Sequence, residues 1–242
     1  MHENYVGYMT QLEFKEEIKR RKGVIIVIGS CEQHGFHLPL DTDNLIGFHH
    51  AMEVAKLTNC MVMPPINYGQ VWSAKDYPGT ISLKSETIKM LLKDIVTSLQ
   101  KQGANNIIIV TGHNGNAGVI KETVRELYDE YNYTNVWHIL NDQIDYSDDL
   151  KLMDSPLPKV IHASEFETSM LLDINSDLVH LDRCACEYPI SPKHASYRPT
   201  PWSEYVQSGS FGDASQSTKE KGKKINETAI NHIASVINNI IE

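Results

Sequence analysis

The sequence predicts an α/β fold: a three-layer sandwich with a mostly parallel central sheet flanked by helices on both faces. Three observations lead there. Short runs rich in β-branched residues, Val24-Ile25-Ile26-Val27-Ile28 and Asn106–Val110, lack polar alternation, which suits strands covered on both sides. Longer amphipathic stretches separate them, and strand–helix alternation implies parallel strands joined by crossover helices. A length of 242 residues fits one domain spanning 1–242, and no repeat, low-complexity tract or Pro/Ser-rich linker divides it.

The elements follow in order. Thr10 is a candidate N-cap for a helix over 11–21, which carries Leu12, Phe14 and Ile18. The strand at 24–28 ends at Gly29-Ser30. A helix over 44–57 leads to a weaker strand, Met61–Pro64. From Ser85 to Gln102, residues Ile88, Leu91, Leu92, Ile95 and Leu99 form one helical stripe, with Gly103 just past its end. After the strand at 106–110 come a helix over 116–131, with Asn116 as candidate cap, and a third strand, Asn135–Leu140. Residues 142–158 read as polar and irregular. Helices over 164–173 and 214–241 complete the chain.

Composition narrows the function. Hydrophobic residues make up 41% and charged residues 22%, ordinary values for a globular protein. A formal charge of −9 argues against nucleic acid or an anionic membrane surface as partner, since both attract basic patches. The chain has no apolar run long enough to span a bilayer. Its start, Met1-His2-Glu3-Asn4, lacks the basic and apolar blocks of a signal peptide, so a cytoplasmic location is expected. Cys31, Cys60, Cys184 and Cys186 show no C-x-x-C spacing. Cys184 and Cys186 alternate in an extended segment and point to opposite faces, which makes them a poor chelate.

In open α/β sheets the ligand site lies outside the carboxyl ends of the strands. The chemistry-bearing residues of this chain follow strands. After 24–28, the segment Gly29 to Asp43 crowds in Glu32, His34, His37, Asp41 and Asp43. Glu32 and His34, two apart in an extended loop, can reach separate metal ions, and a carboxylate such as Asp43 can bridge two cations about 3.5–4 Å apart. Mixed imidazole and carboxylate ligation suits zinc, manganese or iron better than calcium. The competing reading is a solvated acidic loop. After 106–110 comes Thr111-Gly112-His113-Asn114-Gly115-Asn116, where two glycines permit a sharp turn and His113 faces the same crevice. A third cluster is His162-Ala163-Ser164-Glu165-Phe166-Glu167-Thr168-Ser169. There Ser164 and Glu167 form a potential capping box. Alternatively, His162 and Glu167 face the metals, with His162 transferring protons or polarising a carbonyl.

These three segments, in this order, resemble the signature blocks of the creatininase family. Weaker matches at Tyr77-Pro78-Gly79-Thr80-Ile81-Ser82-Leu83 and Ser208-Gly209-Ser210-Phe211-Gly212-Asp213 extend the resemblance over residues 24–222. It implies a three-layer α/β domain, often hexameric, with two divalent metals per subunit, zinc first and manganese or iron as alternatives. By resemblance, Glu32 and His113 hold one metal and His34 the other, with Asp43 bridging. Creatinine-hydrolysing members carry a further metal-binding glutamate two residues after the histidine matching His113. Gly115 stands there in this chain, so Glu167 or Glu165 must complete the second site. His162 is then the expected oxyanion stabiliser, and Glu165 or Glu167 the proton carrier to the leaving nitrogen. Residues 69–76 also depart from the family, with Val71 and Ala74 where many members place serine and histidine. Trp72 and Lys75 accordingly become candidate substrate-binding residues, an aromatic wall and a cation, although Trp72 also suits a core or subunit interface.

The expected activity is metal-activated attack of water on a carbonyl, cleaving a C–N bond of a cyclic amide or formamide in a small polar metabolite. A homo-oligomer is expected. One alternative keeps the metals and opens an inositol-derived diketone by C–C hydrolysis. Another is a non-catalytic metal-binding assembly protein, against which the retention of His162 and of every ligand in the first block argues.

Overall fold

A computed structural model describes residues 3–156 and 161–241. Met1 and His2, and residues 157 and 158 at the end of the expected irregular segment, lie outside them. Four strands form one all-parallel sheet: β1 (Gly23–Ile28), β2 (Cys60–Val62), β3 (Ile107–Thr111) and β4 (Val136–Ile139), in the order β2-β1-β3-β4. Every residue of β1 and β3 is buried, as their unbroken apolar runs require.

Helices cover both faces. They are α1 (Gln11–Arg20), α2 (Thr42–Thr58), α3 (Ser85–Lys101), α4 (Ala117–Tyr131), α5 (Ser147–Leu150), α6 (Glu165–Asn175) and α7 (Lys219–Ile240). Side-chain alternation along β1 sends Val24, Ile26 and Ile28 into one core, with Ile18 of α1, Leu92 of α3 and Ile120 of α4. Ile25 and Val27 point the other way, onto Val54 of α2 and Ile233 and Ile237 of α7. The three layers of the sequence reading are these. Helix α6 docks against α2 and α7 through Phe166, Met170, Ile46 and Ile225. That approach needs Gly222, where an added Cβ would overlap the Ser169 carbonyl group.

Local signals explain the helix ends. Thr10 and Glu13 form a complete capping box on α1. Helix α7 starts at Lys219, capped by Thr218, later than residue 214, because Ala214–Gln216 forms a separate 3-10 turn capped by Asp213. Asn116 does not cap α4. Its side chain donates to the Gly29 carbonyl and accepts from Gln70 N–H, both at 2.9 Å, tying together the loops that follow β1, β2 and β3. The segment after 141 holds the short α5. A two-stranded antiparallel sheet, β5 (Cys186–Glu187) with β6 (Gly212–Asp213), was too short to leave a period in the sequence. All four cysteines are free thiols. Among the described residues, no helix is long and apolar enough to cross a membrane.

The chain leaves β1 into α2 on one face and leaves β3 into α4 on the other. The loops after these adjacent strands part, and the crevice between them is the switch point where α/β sheets place ligands.

Candidate metal centre

Asp43 sits at the heart of this crevice. It lies in the first turn of α2, where the helix dipole favours an anion. Ser30 Oγ–H donates to its Oδ2 at 2.6 Å. Two imidazoles aim at it. His34 Nδ1–H donates to the Glu32 carbonyl oxygen at 3.1 Å, and His113 Nε2–H donates to the Gln70 carbonyl oxygen at 2.9 Å. A carbonyl only accepts, so in the neutral rings the remaining nitrogens, His34 Nε2 and His113 Nδ1, present lone pairs, and without a metal a second proton takes those positions.

Those lone pairs face carboxylate oxygens. His34 Nε2 is 3.3 Å from Asp43 Oδ1. His113 Nδ1 is 3.1 Å from Asp43 Oδ2 and 3.0 Å from Glu32 Oε2. Lone pair against carboxylate repels unless positive charge lies between. His34 Nε2 and Glu32 Oε2 are buried without a hydrogen-bond partner, an arrangement that a cation would satisfy. The electrostatics say the same. Burial pushes the His34 ring down, but Asp43 outweighs it and holds His34 up at about 10. His113 is likewise raised well above its ordinary value, by Asp43 and then Glu32 against burial. Burial alone would lift Asp43 and Glu32. The charged imidazoles overrule it, His34 and His113 for Asp43 and His113 for Glu32, and hold both carboxyls below the usual range.

Among the described residues the donors fall into three triads: two share Asp43, and the third joins Glu32, His34 and His162. Glu32, Asp43 and His113 bring ligand atoms within 4.8 Å of one another, and so do His34, Asp43 and Glu167. The donor set therefore fits divalent cations. Gly115 lies beside the first triad. A Cβ there would overlap His113 Nε2 and the Gln70 carbonyl oxygen, so a glutamate at 115 would break the bond that turns His113 towards Asp43.

The two glutamates of α6 part company, since residues two apart on a helix face roughly opposite sides. Glu167 faces the centre, its Oε2 4.0 Å from His34 Nε2. It does not close a capping box on Ser164: Oε2 accepts from Ala163 N–H at 2.6 Å, while Ser164 Oγ caps Phe166 N–H. Burial, helped by Asp43, raises its carboxyl to about 7. Glu165 faces away. Its carboxylate accepts from the Asp154 and Ser155 N–H groups, from Ser155 Oγ–H and from Lys221 Nζ.

His162 closes the other side, its ring centroid 4.4 Å from that of His34. Its Nε2 lies 2.9 Å from the Gln33 carbonyl oxygen and 3.1 Å from Gln33 Nε2, so Gln33 steadies the ring in either tautomer. Burial holds the imidazole down at about 4, which leaves it neutral at physiological pH. Ala163 follows in the left-handed region at φ 48, strain that β-carbon-bearing residues rarely carry away from functional segments.

A cleft of about 320 Å³ opens over Glu32, Asp43, His113, His162 and Glu167, with Trp72 and Trp202 on its walls. Lys75 lies outside it, in a groove with Leu83 and Glu86, its ammonium 5.0 Å from the Trp72 ring centroid. Sequence reasoning passed over Gln33, although it lies inside the first block, and Trp202, which no local pattern marks.

Fold and donor set together define a metal-dependent α/β hydrolase. The chain belongs to the creatininase family: residues 7–237 match that family, described as creatinine amidohydrolase. It is 27% identical over 248 residues to creatinine amidohydrolase of Pseudomonas putida, covering 96% of this chain and 95% of that protein. It is 30% identical over 213 residues to a mycofactocin precursor peptide peptidase of Mycobacterium ulcerans, covering 84% and 79%. A 3-dehydro-scyllo-inosose hydrolase of Thermotoga maritima is 25% identical over 264 residues, with 98% and 84% covered. Two solved structures, a manganese creatininase and a mutant creatininase of Zn-Zn type, superpose with TM-scores of 0.87 and 0.85. Each is 26% identical, over 98% of both chains.

Proposed function

We propose that this chain hydrolyses an amide-type C–N bond of a small molecule at a centre of two divalent cations. The observation that carries it is the division of Asp43: one oxygen faces the bare nitrogen of His34 and the other that of His113. Glu32 and His113 would hold one ion, His34 and Glu167 the other, and Asp43 both. When bound, such ions, zinc first with manganese or iron as alternatives, supply Lewis acidity: they lower the pKa of water and polarise a carbonyl.

The chain's own residues do the rest. The carbonyl carbon gains the oxygen of water, its bond to nitrogen breaks, and the nitrogen leaves with a proton, giving a carboxylic acid and an amine. With Gln33 Nε2–H donating to its Nε2, neutral His162 carries its proton on Nδ1 and stands beside the centre to donate a hydrogen bond to the developing oxyanion. Glu165 takes no part in proton transfer, because Lys221 and Ser155 occupy its oxygens. Trp72 and Trp202 shape the cleft for the substrate and limit water around it. The same reading includes a cytoplasmic homo-oligomer, whose size light scattering measures. The similarity to the inosose hydrolase carries a second reading, C–C hydrolysis of a cyclic diketone. A panel of creatinine, formamides and a diketo-inositol separates the two.

Elemental analysis tests the centre itself. Protein purified with zinc or manganese should carry two ions per chain, and Asp43→Ala should lose both metal and turnover while remaining folded. One ion per chain in fully active enzyme overturns the two-cation reading.

A further inference from the structure

Behind the carboxylates lies a second cavity that the proposed chemistry does not use. It has a volume of about 180 Å³ and is walled by Ile46, Val110, Tyr146, Phe166, Met170 and Ile233, which come from α2, β3, α6, α7 and the segment before α5. Tyr146 and Phe166 meet edge to face, their ring centroids 5.1 Å apart, and form a rigid aromatic corner. The one imidazole in the wall, His50, is buried, and its Nε2 lies 2.9 Å from Asn226 Oδ1. Burial holds that ring down at about 4, so it presents no charge. Among the described residues, no lysine or arginine lines the chamber.

The chamber is no sealed packing defect. It shares Asp43, Gly112, Asn114, Asn141, Ile161 and Glu167 with the cleft over the metal centre, so the two cavities adjoin at Asp43 and Glu167. Its polar end is the centre and its far end is hydrocarbon. An apolar cavity of roughly 150 Å³ suffices to take up benzene. Thr111, Asn114, Asn141 and Asp142 also line it, but the walls of Ile46, Val110, Phe166, Met170 and Ile233 offer water few partners, whereas an alkyl or phenyl group gains burial and dispersion contacts there.

We infer that this chamber is a substrate subsite for a hydrocarbon arm. The enzyme acts on amides whose acyl or amine part carries a branched-alkyl or phenyl-sized apolar group, in preference to small, wholly polar amides. This rests on the amide-hydrolase reading above for the bond and adds the group next to it.

The test uses the metal-loaded full chain. Each methylene buried from water is worth about fourfold in binding. Through the series formamide, acetamide, isovaleramide and phenylacetamide, kcat/KM should therefore climb, with isovaleramide ahead of acetamide by roughly fiftyfold at full burial. Fluorobenzene, which has no bond to hydrolyse, should bind saturably by fluorine NMR. Ala51→Phe, which projects a ring into the chamber from α2, should abolish that binding and flatten the series. Met170→Ala, which enlarges the chamber, should shift the preference to longer arms and serves should Ala51→Phe fail to fold. Fluorobenzene that fails to saturate, or a flat series in an enzyme that hydrolyses amides, overturns the subsite and leaves the amide reading standing. Saturable fluorobenzene binding lost in Ala51→Phe, with no amide hydrolysed, supports the subsite and overturns the amide reading instead.

Discussion

Glu165 and Glu167 stand two residues apart in one signature segment, and a single pair of variants separates their duties. Glu165 is 1% exposed, and its carboxylate takes four bonds: Asp154 N–H at 3.0 Å, Ser155 N–H at 2.8 Å, Ser155 Oγ–H at 2.5 Å and Lys221 Nζ at 2.5 Å. Lys221 is itself largely covered, its side chain 13% exposed, with Asp154 as second partner. Removing one member of a buried ion pair strands the other and costs about 3–5 kcal/mol. Asp154 offsets part of this, so Glu165→Ala should cost about 3 kcal/mol, near the lower end of that range. For a chain of this size, about 1 kcal/mol moves the melting temperature by about 2–4 °C, so the loss should be roughly 10 °C. Glu165→Gln keeps an acceptor for the Ser155 bonds and should fall between. Thermal denaturation measures the loss, with metal content and kcat determined on the folded protein at low temperature. Both variants should keep their metal, and Glu165→Gln should keep most of its kcat. If Glu165→Gln melts like wild type but loses about a hundredfold in kcat, Glu165 carries a catalytic proton and the structural role assigned to it is wrong.

Three further outcomes are expected. His162→Asn should retain wild-type metal content yet lose on the order of 10²–10³ in kcat, as removal of one oxyanion donor does; full activity would leave His162 only a packing role. Gly115→Ala should push His113 off the Gln70 carbonyl and weaken metal binding by roughly 10–100-fold, the usual cost of disturbing a ligand's orienting bond, as read by competition with a chelator. Glu187 accepts from the N–H groups of Gln207 and Ser208 and from Ser208 Oγ–H. Burial would raise its carboxyl, but these bonds prevail and hold it below the ordinary value of 4.5. A depressed carboxylate stabilises the fold above its unfolded pKa, and that stability drains away as pH falls through the lower folded one. The melting-temperature gap between wild type and Glu187→Gln should therefore be full at neutral pH and narrow below pH 4.5; a gap that widens there would contradict the assignment.

Much of the fold was legible because burial on both faces leaves a direct mark. The runs at 24–28 and 106–110 could be little else but central strands, and of the stripe on α3 Ile88, Leu92 and Leu99 face the core together with Val96, while Leu91 is exposed. The candidate site was legible where its donor groups follow strands closely, as with Glu32, His34, Asp43 and His113. What the sequence left open depends on partners far along the chain. Glu165 is turned outwards by Lys221, 56 residues later, and no local spacing reveals that. Asn116 sits in good capping position, yet long-range bonds to Gly29 and Gln70 claim its amide. Trp202 comes onto His162 from 40 residues further along, beyond α6 and β5, with ring centroids 4.8 Å apart. Lys75 has its ammonium 5.0 Å from the Trp72 ring centroid, in a neighbouring groove that Gln70 and Trp72 also line.

The orienting bonds to His34 and His113 both end on main-chain carbonyls, of Glu32 and Gln70. A carbonyl is present whatever side chain its residue bears. Position 70 can therefore vary in size, polarity and charge without disturbing the imidazole it aims, provided the loop keeps its path. Yet the residue also forms part of the wall of the cleft. Descendants of this sequence can alter what the cleft admits by changing residue 70 while the donor set stays intact, which makes the position a natural starting point for retargeting the enzyme by directed evolution.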